Sequence, residues 1–155
     1  LESVKLDVLA TKTLSKNLNA DLVRLKDLKI NNGLKGRITT PLNAFREVKT
    51  EISPERIDIS NYDTIYFGTP TWAGKPTPAI LTIIDRCVLK GKDIILFTTM
   101  DTNRGEYNIN RLEEKVKTRG GRVIETFTIT TKNKTPEQLV NDTEAIINIK
   151  DLKMY

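Results

Sequence analysis

The residues with most to offer chemically lie in one run, Ile65-Tyr66-Phe67-Gly68-Thr69-Pro70-Thr71-Trp72-Ala73-Gly74-Lys75-Pro76. An aromatic ring stands there beside small, close-packing residues, which is how a parallel sheet presents a binding loop at the carboxyl end of a strand. The rest of the chain excludes more chemistry than it offers. There is no histidine, and Cys87 is the single cysteine, so histidine-dependent triads, an internal disulfide, thiol-pair redox chemistry and nearly all zinc sites fall away. Asp101 and Glu106 can be read as an acid pair, but one sits in a loop and the other opens a helix, which favours two solvated charges. Cys87, set between apolar helix positions, reads as a small core residue.

The binding run needs elements to hold it. Residues 65–67 form an apolar stretch too short for a helix, bounded by Asp63-Thr64 and Gly68, and they predict a strand buried on both faces. Thr77-Pro78 offers an N-cap and a first-turn proline to a helix carrying Ile80, Leu81, Ile83, Ile84, Cys87 and Val88, stopped by Lys90-Gly91. The unit then repeats. Residues 93–100 read as a second buried strand, followed by the polar loop 101–106 and a helix with Ile109, Leu112 and Val116 on one face, closed by Gly120-Gly121. Residues 122–131 read as a third strand, with Val123, Phe127 and Ile129 on one side and Thr126, Thr128 and Thr130 on the other, the mixed pattern of a sheet edge. Thr135-Pro136-Glu137-Gln138 has capping-box spacing and opens a last helix through Leu139, Val140, Ile146 and Ile147.

Toward the amino end, Ser3 is placed to cap a helix burying Val4, Val8, Leu14 and Leu18, and residues 20–26 alternate as a strand would. A sheet of this kind normally opens with a strand, and the expectation is that one, with its loop, precedes Leu1. Residues 30–61 form the irregular stretch, broken by Asn31-Asn32-Gly33, Gly36 and Pro41, with a short helix expected over 41–48.

At 155 residues the chain suits a single domain spanning 1–155 with one sizeable core. No apolar run approaches the roughly 20 residues that span a bilayer, and no signal-peptide pattern is present, so a cytoplasmic location without membrane attachment is expected. The net charge is +5. Its lysines and arginines cluster at 90–92, 115–122 and 132–134, at helix ends and connections where cations favour helix C-termini. Without aromatics interleaved among them, a nucleic-acid face is disfavoured against a solvated surface or an acidic protein partner.

The run from Asn61 to Pro76, N-Y-D-T-I-Y-F-G-T-P-T-W-A-G-K-P, resembles the third-strand and flavin-loop signature of the flavodoxin-like family. Ala20-Asp21-Leu22, Lys90-Gly91-Lys92 and Gly120-Gly121-Arg122-Val123 fall where that family places its strand entries, so the resemblance covers nearly the whole chain. It implies an α/β fold, a three-layer doubly wound parallel sheet in strand order 2-1-3-4-5, with flavin mononucleotide (FMN) bound at the carboxyl ends of the strands.

The resemblance sets Thr69, Pro70, Thr71, Trp72, Ala73, Gly74 and Lys75 against the flavin, with Trp72 on or beside the ring and the Ala73-Gly74 backbone near its polar edge. Thr98, Thr99, Met100, Asp101 and Gly105, in the second loop, are implied to close the other side. These residue types suit a ring that is flat and apolar on its faces and hydrogen-bonding along one edge. Redox chemistry then belongs to the flavin, tuned by stacking, hydrogen bonds and charge, and no catalytic side chain is needed. The implied partners are a redox protein or a small-molecule acceptor such as a quinone, with homodimerisation left open.

Two departures mark this chain. Relatives carry a hydroxyl-rich phosphate loop before the first helix, whereas residues 1–7 hold only Ser3 as a hydroxyl and no glycine. Asp101-Thr102-Asn103-Arg104-Gly105 stands where relatives often have a glycine-rich run. Two functions follow: an FMN protein that carries electrons or reduces a small acceptor, or a flavodoxin-fold domain that has lost FMN and serves as an interaction module. Trp72 likewise has a plainer reading as an anchor packed on its own domain, and Tyr107 as an aromatic at the solvent edge.

Overall fold

The computed structural model describes residues 2–28, 51–71, 76–100 and 105–155. Its centre is a parallel sheet of three strands, β3 (Thr64–Pro70), β4 (Asp93–Met100) and β5 (Arg122–Thr130), in spatial order β3-β4-β5. Helix α2 (Pro78–Asp85) connects the first pair and α3 (Gly105–Thr118) the second, so the repeating unit expected from the apolar runs is present. Helices α1 (Glu2–Leu18) and α4 (Pro136–Ile149) complete the set, followed by a short 3-10 turn, Leu152–Met154.

The middle strand is apolar on both faces and splits the interior into two cores, as a sheet covered on both sides requires. Ile94 and Leu96 pack with Phe67, the α2 residues Ile80, Leu81, Ile83 and Ile84, and Leu112 and Val116 of α3. Ile95 and Phe97 pack with Phe127, Ile129, Ala10 and Leu14 of α1, and Leu139 and Ile147 of α4. The three layers are therefore α2/α3, sheet, and α1/α4. This is the doubly wound arrangement, and β3-β4-β5 matches the last three places of the 2-1-3-4-5 order; among the described residues the first two places are not represented in this sheet.

Several expectations need correction. Residues 21–25 carry no regular structure, and Leu22 and Val23 are exposed; only Lys26–Asp27 (β1) pairs, antiparallel to Ile52–Ser53 (β2), outside the main sheet. Alternation makes a strand only where a neighbour accepts its hydrogen bonds, and among the described residues β3 pairs with β4 alone. Val123 does not share a face with Phe127 and Ile129. A register shift opposite Ile94/Ile95 inserts one residue into β5, which turns Val123 toward the α2/α3 core while Phe127 and Ile129 face α1/α4.

Helix α1 has already begun at Glu2, ahead of the Ser3 expected to cap it, and it buries Ala10, Thr13 and Leu14, with Val8 only partly covered. Helix α2 stops at Asp85, earlier than its apolar run suggested. The Arg86 and Cys87 amides bond back to Ile83 and Ile84, which buries Cys87 and leaves Val88 outside. Burial also pushes the Cys87 thiol above its ordinary pKa, against the pull of the Arg119 charge. The capping box holds as read: Thr135 Oγ1 accepts from the Gln138 amide at 3.1 Å and Gln138 Oε1 from the Thr135 amide at 2.9 Å. The short helix expected over 41–48 lies outside the described residues.

Candidate functional site

Two neighbouring parallel strands end at the same rim. Thr69 lies opposite Thr98 and Pro70 opposite Thr99, and the Thr71 amide extends the ladder one step past the proline by donating to the Thr99 carbonyl at 3.1 Å. The chain leaves both strands there, at Thr71 and at Met100, and is described again from Pro76 and from Gly105. Trp72, Ala73, Gly74, Lys75 and Asp101, all expected at the site, lie outside the described residues.

The first loop is held at its base by hydroxyls. Thr69 Oγ1 accepts from the Thr77 amide at 3.2 Å and lies 3.0 Å from Thr77 Oγ1, so the end of β3 is tied to the start of α2. Thr77 was expected to cap α2 with its side chain; the hydroxyl makes no such cap and closes the loop instead. At the other end of the loop, Thr71 Oγ1 is 2.9 Å from Thr98 Oγ1, and the Thr98 hydroxyl donates to the Thr69 carbonyl at 2.7 Å. Asn108 joins both: its Nδ2 donates to Thr71 Oγ1 at 2.9 Å and to Thr98 Oγ1 at 3.1 Å.

The second loop is equally constrained at its ends. The Thr131 amide and hydroxyl both donate to the Met100 carbonyl, at 2.8 and 3.2 Å. Gly105 starts α3 directly against the sheet. A Cβ there would come within 2.5 Å of Met100 Sδ, 2.9 Å of Thr128 Cγ2 and 3.1 Å of Thr98 Cγ2, so the missing side chain is what allows the helix to seat so low.

The described candidates divide by exposure. Thr69, Thr98, Thr99 and Gly105 are buried at the rim, while Pro70, Thr71 and Met100 are partly open. Tyr107, on the first turn of α3, is half-exposed. The Thr99 hydroxyl, on the sheet face shared by Ile95 and Phe97, is buried without a hydrogen-bond partner among the described residues. Asn108 was missing from the sequence-based site. The available signal was a polar residue on the stripe Asn108, Leu112, Val116 at four-residue spacing, where an apolar one is expected.

A doubly wound α/β sheet whose adjacent strands end at one rim defines the class of protein that binds a ligand at the carboxyl ends of its strands. The family follows from the sequence itself: residues 10–145 match the family model described as Flavodoxin, and the chain belongs to that family, an FMN-binding one. Among solved structures, the fold is similar to that of a protein from Bacteroides eggerthii DSM 20697, with a TM-score of 0.68 at 19% identity, covering 92% of this chain and 89% of that one. It is also similar to a flavoprotein from Lactobacillus acidophilus NCFM solved in complex with FMN, with a TM-score of 0.59 at 23% identity over 76% of this chain and 84% of that one. The apo-form of the Lactobacillus acidophilus flavoprotein gives a TM-score of 0.55 at 20% identity, over 77% and 83% of the two chains. No curated protein matches the sequence. Among the described residues no helix is long and apolar enough to cross a membrane.

Proposed function

We propose that the chain is a single flavodoxin-like domain that binds FMN at the carboxyl rim of β3 and β4 and passes electrons to a redox partner protein, or to a small acceptor, in the cytoplasm. The observation that carries this reading is the pairing of Thr69 with Thr98 and of Pro70 with Thr99, which brings two loop bases to one rim. Family membership and a similar fold that holds FMN support it.

The residues present fit a flat ring with one polar edge. Pro70 and Met100 give partly open apolar surface at the ends of adjacent strands, and the Thr99 hydroxyl is a polar group without a partner among the described residues at this rim. In this reading Trp72 covers one side of the ring and the Ala73-Gly74 backbone meets its edge, with Lys75 and Asp101 as flanking charges. Thr69, Thr98 and Gly105 act from behind, holding the loops and excluding water. FMN, when bound, supplies the electron-accepting group; the chain orients it and sets its surroundings.

The test is direct. Purified protein should be yellow with flavin fluorescence, or should take up added FMN stoichiometrically when the cofactor has been stripped. Colourless protein that binds no added FMN overturns the proposal and leaves the interaction-module reading.

A further inference from the structure

We infer that Asn108 is a positioning residue of the flavin site, fixing the start of the 72–75 loop to the end of β4 and to α3. The inference rests on the FMN reading above and adds a residue to it that touches no ligand. Its basis is the direction of every hydrogen bond in the cluster. The Thr98 hydroxyl has one proton and two carbonyls in reach, Thr69 at 2.7 Å and Thr99 at 3.3 Å, so with its proton on a carbonyl it can only accept toward Thr71 and Asn108. Thr71, 2.9 Å away, must therefore donate to Thr98, and its own oxygen is left to accept. Asn108 Nδ2 has two protons and two acceptors in reach, Thr71 Oγ1 at 2.9 Å and Thr98 Oγ1 at 3.1 Å. Turning the amide over would set Oδ1 against two hydroxyls of which only that of Thr71 has a proton to give.

That orientation leaves Asn108 Oδ1 buried and without a partner among the described residues. An unmade bond in the interior is unfavourable, and a leucine on this stripe would avoid it, as Leu112 does one turn later. The amide stands where it binds Thr71, which leads into the residues expected to hold the ring. The three residues of the cluster come from three elements: Thr71 from the end of β3, Thr98 from β4 and Asn108 from α3. Gly105 lets α3 approach close enough for the link to form. Removing the amide should release Thr71, and with it the neighbouring Trp72, while leaving the two cores in place.

The chain has one tryptophan, Trp72, so its fluorescence reports on this loop alone. In the full-length apoprotein, Asn108→Leu should make Trp72 easier to quench with acrylamide, and FMN affinity should fall about tenfold. Thr71→Val should do the same, and because the two residues share one cluster, the double variant should bind FMN within about twofold of the weaker single variant. Thr143→Val is the control. It removes a buried hydroxyl bonded within α4, at 2.8 Å to the Leu139 carbonyl, and should leave both readouts unchanged. Asn108→Ser, which is too short to bridge both threonines, replaces Asn108→Leu if the latter does not fold. Wild-type FMN affinity in a folded Asn108 variant, or additive losses in the double variant, would overturn the inference. Failure of the wild-type protein itself to bind FMN removes the underlying reading as well.

Discussion

Gly68 lies opposite Phe97 in the parallel register, so close that a Cβ built on the glycine would stand 2.1 Å from Phe97 Cζ. Phe97 in turn stacks on Phe127, with ring centroids 5.2 Å apart and planes 5° from parallel. The ring has nowhere to go without breaking that stack, since it is enclosed by the α1/α4 core. Gly68→Ala should therefore destabilise the fold by about 1–3 kcal/mol, the usual cost of overpacking a core. Urea unfolding monitored by circular dichroism would show it as a lower midpoint; an unchanged midpoint would mean that Phe97 swings aside freely.

Thr135 and Gln138 hold the first turn of α4 by reciprocal bonds, and both side chains are exposed, so little but the cap is lost on substitution. Thr135→Ala should cost about 1 kcal/mol. Because α4 covers the α1/α4 core through Leu139 and Ile147, the loss should be seen in global unfolding rather than as local fraying. A Thr135→Ser variant should recover most of it. Equal stabilities for all three proteins would show that the box contributes nothing to the fold.

Tyr66 packs at the margin of the same core, and burial, with a smaller contribution from Tyr155, pushes its phenol up to about 12. The folded value lies above that of the unfolded chain, so the group's contribution to stability is complete below the unfolded tyrosine value of about 10 and is lost as the pH climbs toward 12. Tyr66→Phe should remove that part of the alkaline loss. Unfolding midpoints collected for both proteins between about pH 9 and 12 separate it from lysine titration, which both share. Parallel pH profiles would refute the assignment.

These three sites also show what could be read from the chain in advance. The box at Thr135 was legible because capping depends on residues three apart, and local spacing is what a sequence records directly. The strands β3 and β4 were legible for a similar reason: short apolar runs, residues 65–67 and 94–97, set between turn signals have few other uses. The path of β5 was not, because the extra residue that turns Val123 away from Phe127 arises from pairing with Ile94 and Ile95, a relation absent from the strand's own pattern. The same limit applies to the site. Thr69, Thr71 and Thr98 stand in a run whose composition pointed to a binding loop, whereas Asn108 gains its meaning only when α3 is laid over the ends of two strands.

Trp72 is the residue on which ring binding most depends in the proposed site. It follows Thr71, whose hydroxyl and amide are both engaged, to Asn108 and Thr98 and to the Thr99 carbonyl, so the chain enters the tryptophan from a fixed point. An aromatic side chain stacked on a planar ligand contributes through buried area and ring geometry, so Trp72→Ala should weaken FMN binding by about 1 kcal/mol or somewhat more. That corresponds to roughly a five- to tenfold rise in Kd. Fluorescence titration of the stripped protein with FMN gives the number, and thermal unfolding of the apoprotein gives the control. If the indole contacts flavin, affinity falls and apoprotein stability holds; if it is instead an anchor packed on its own domain, stability falls and the residual affinity follows the folded fraction. A folded Trp72→Ala protein with wild-type affinity would place the tryptophan outside the site.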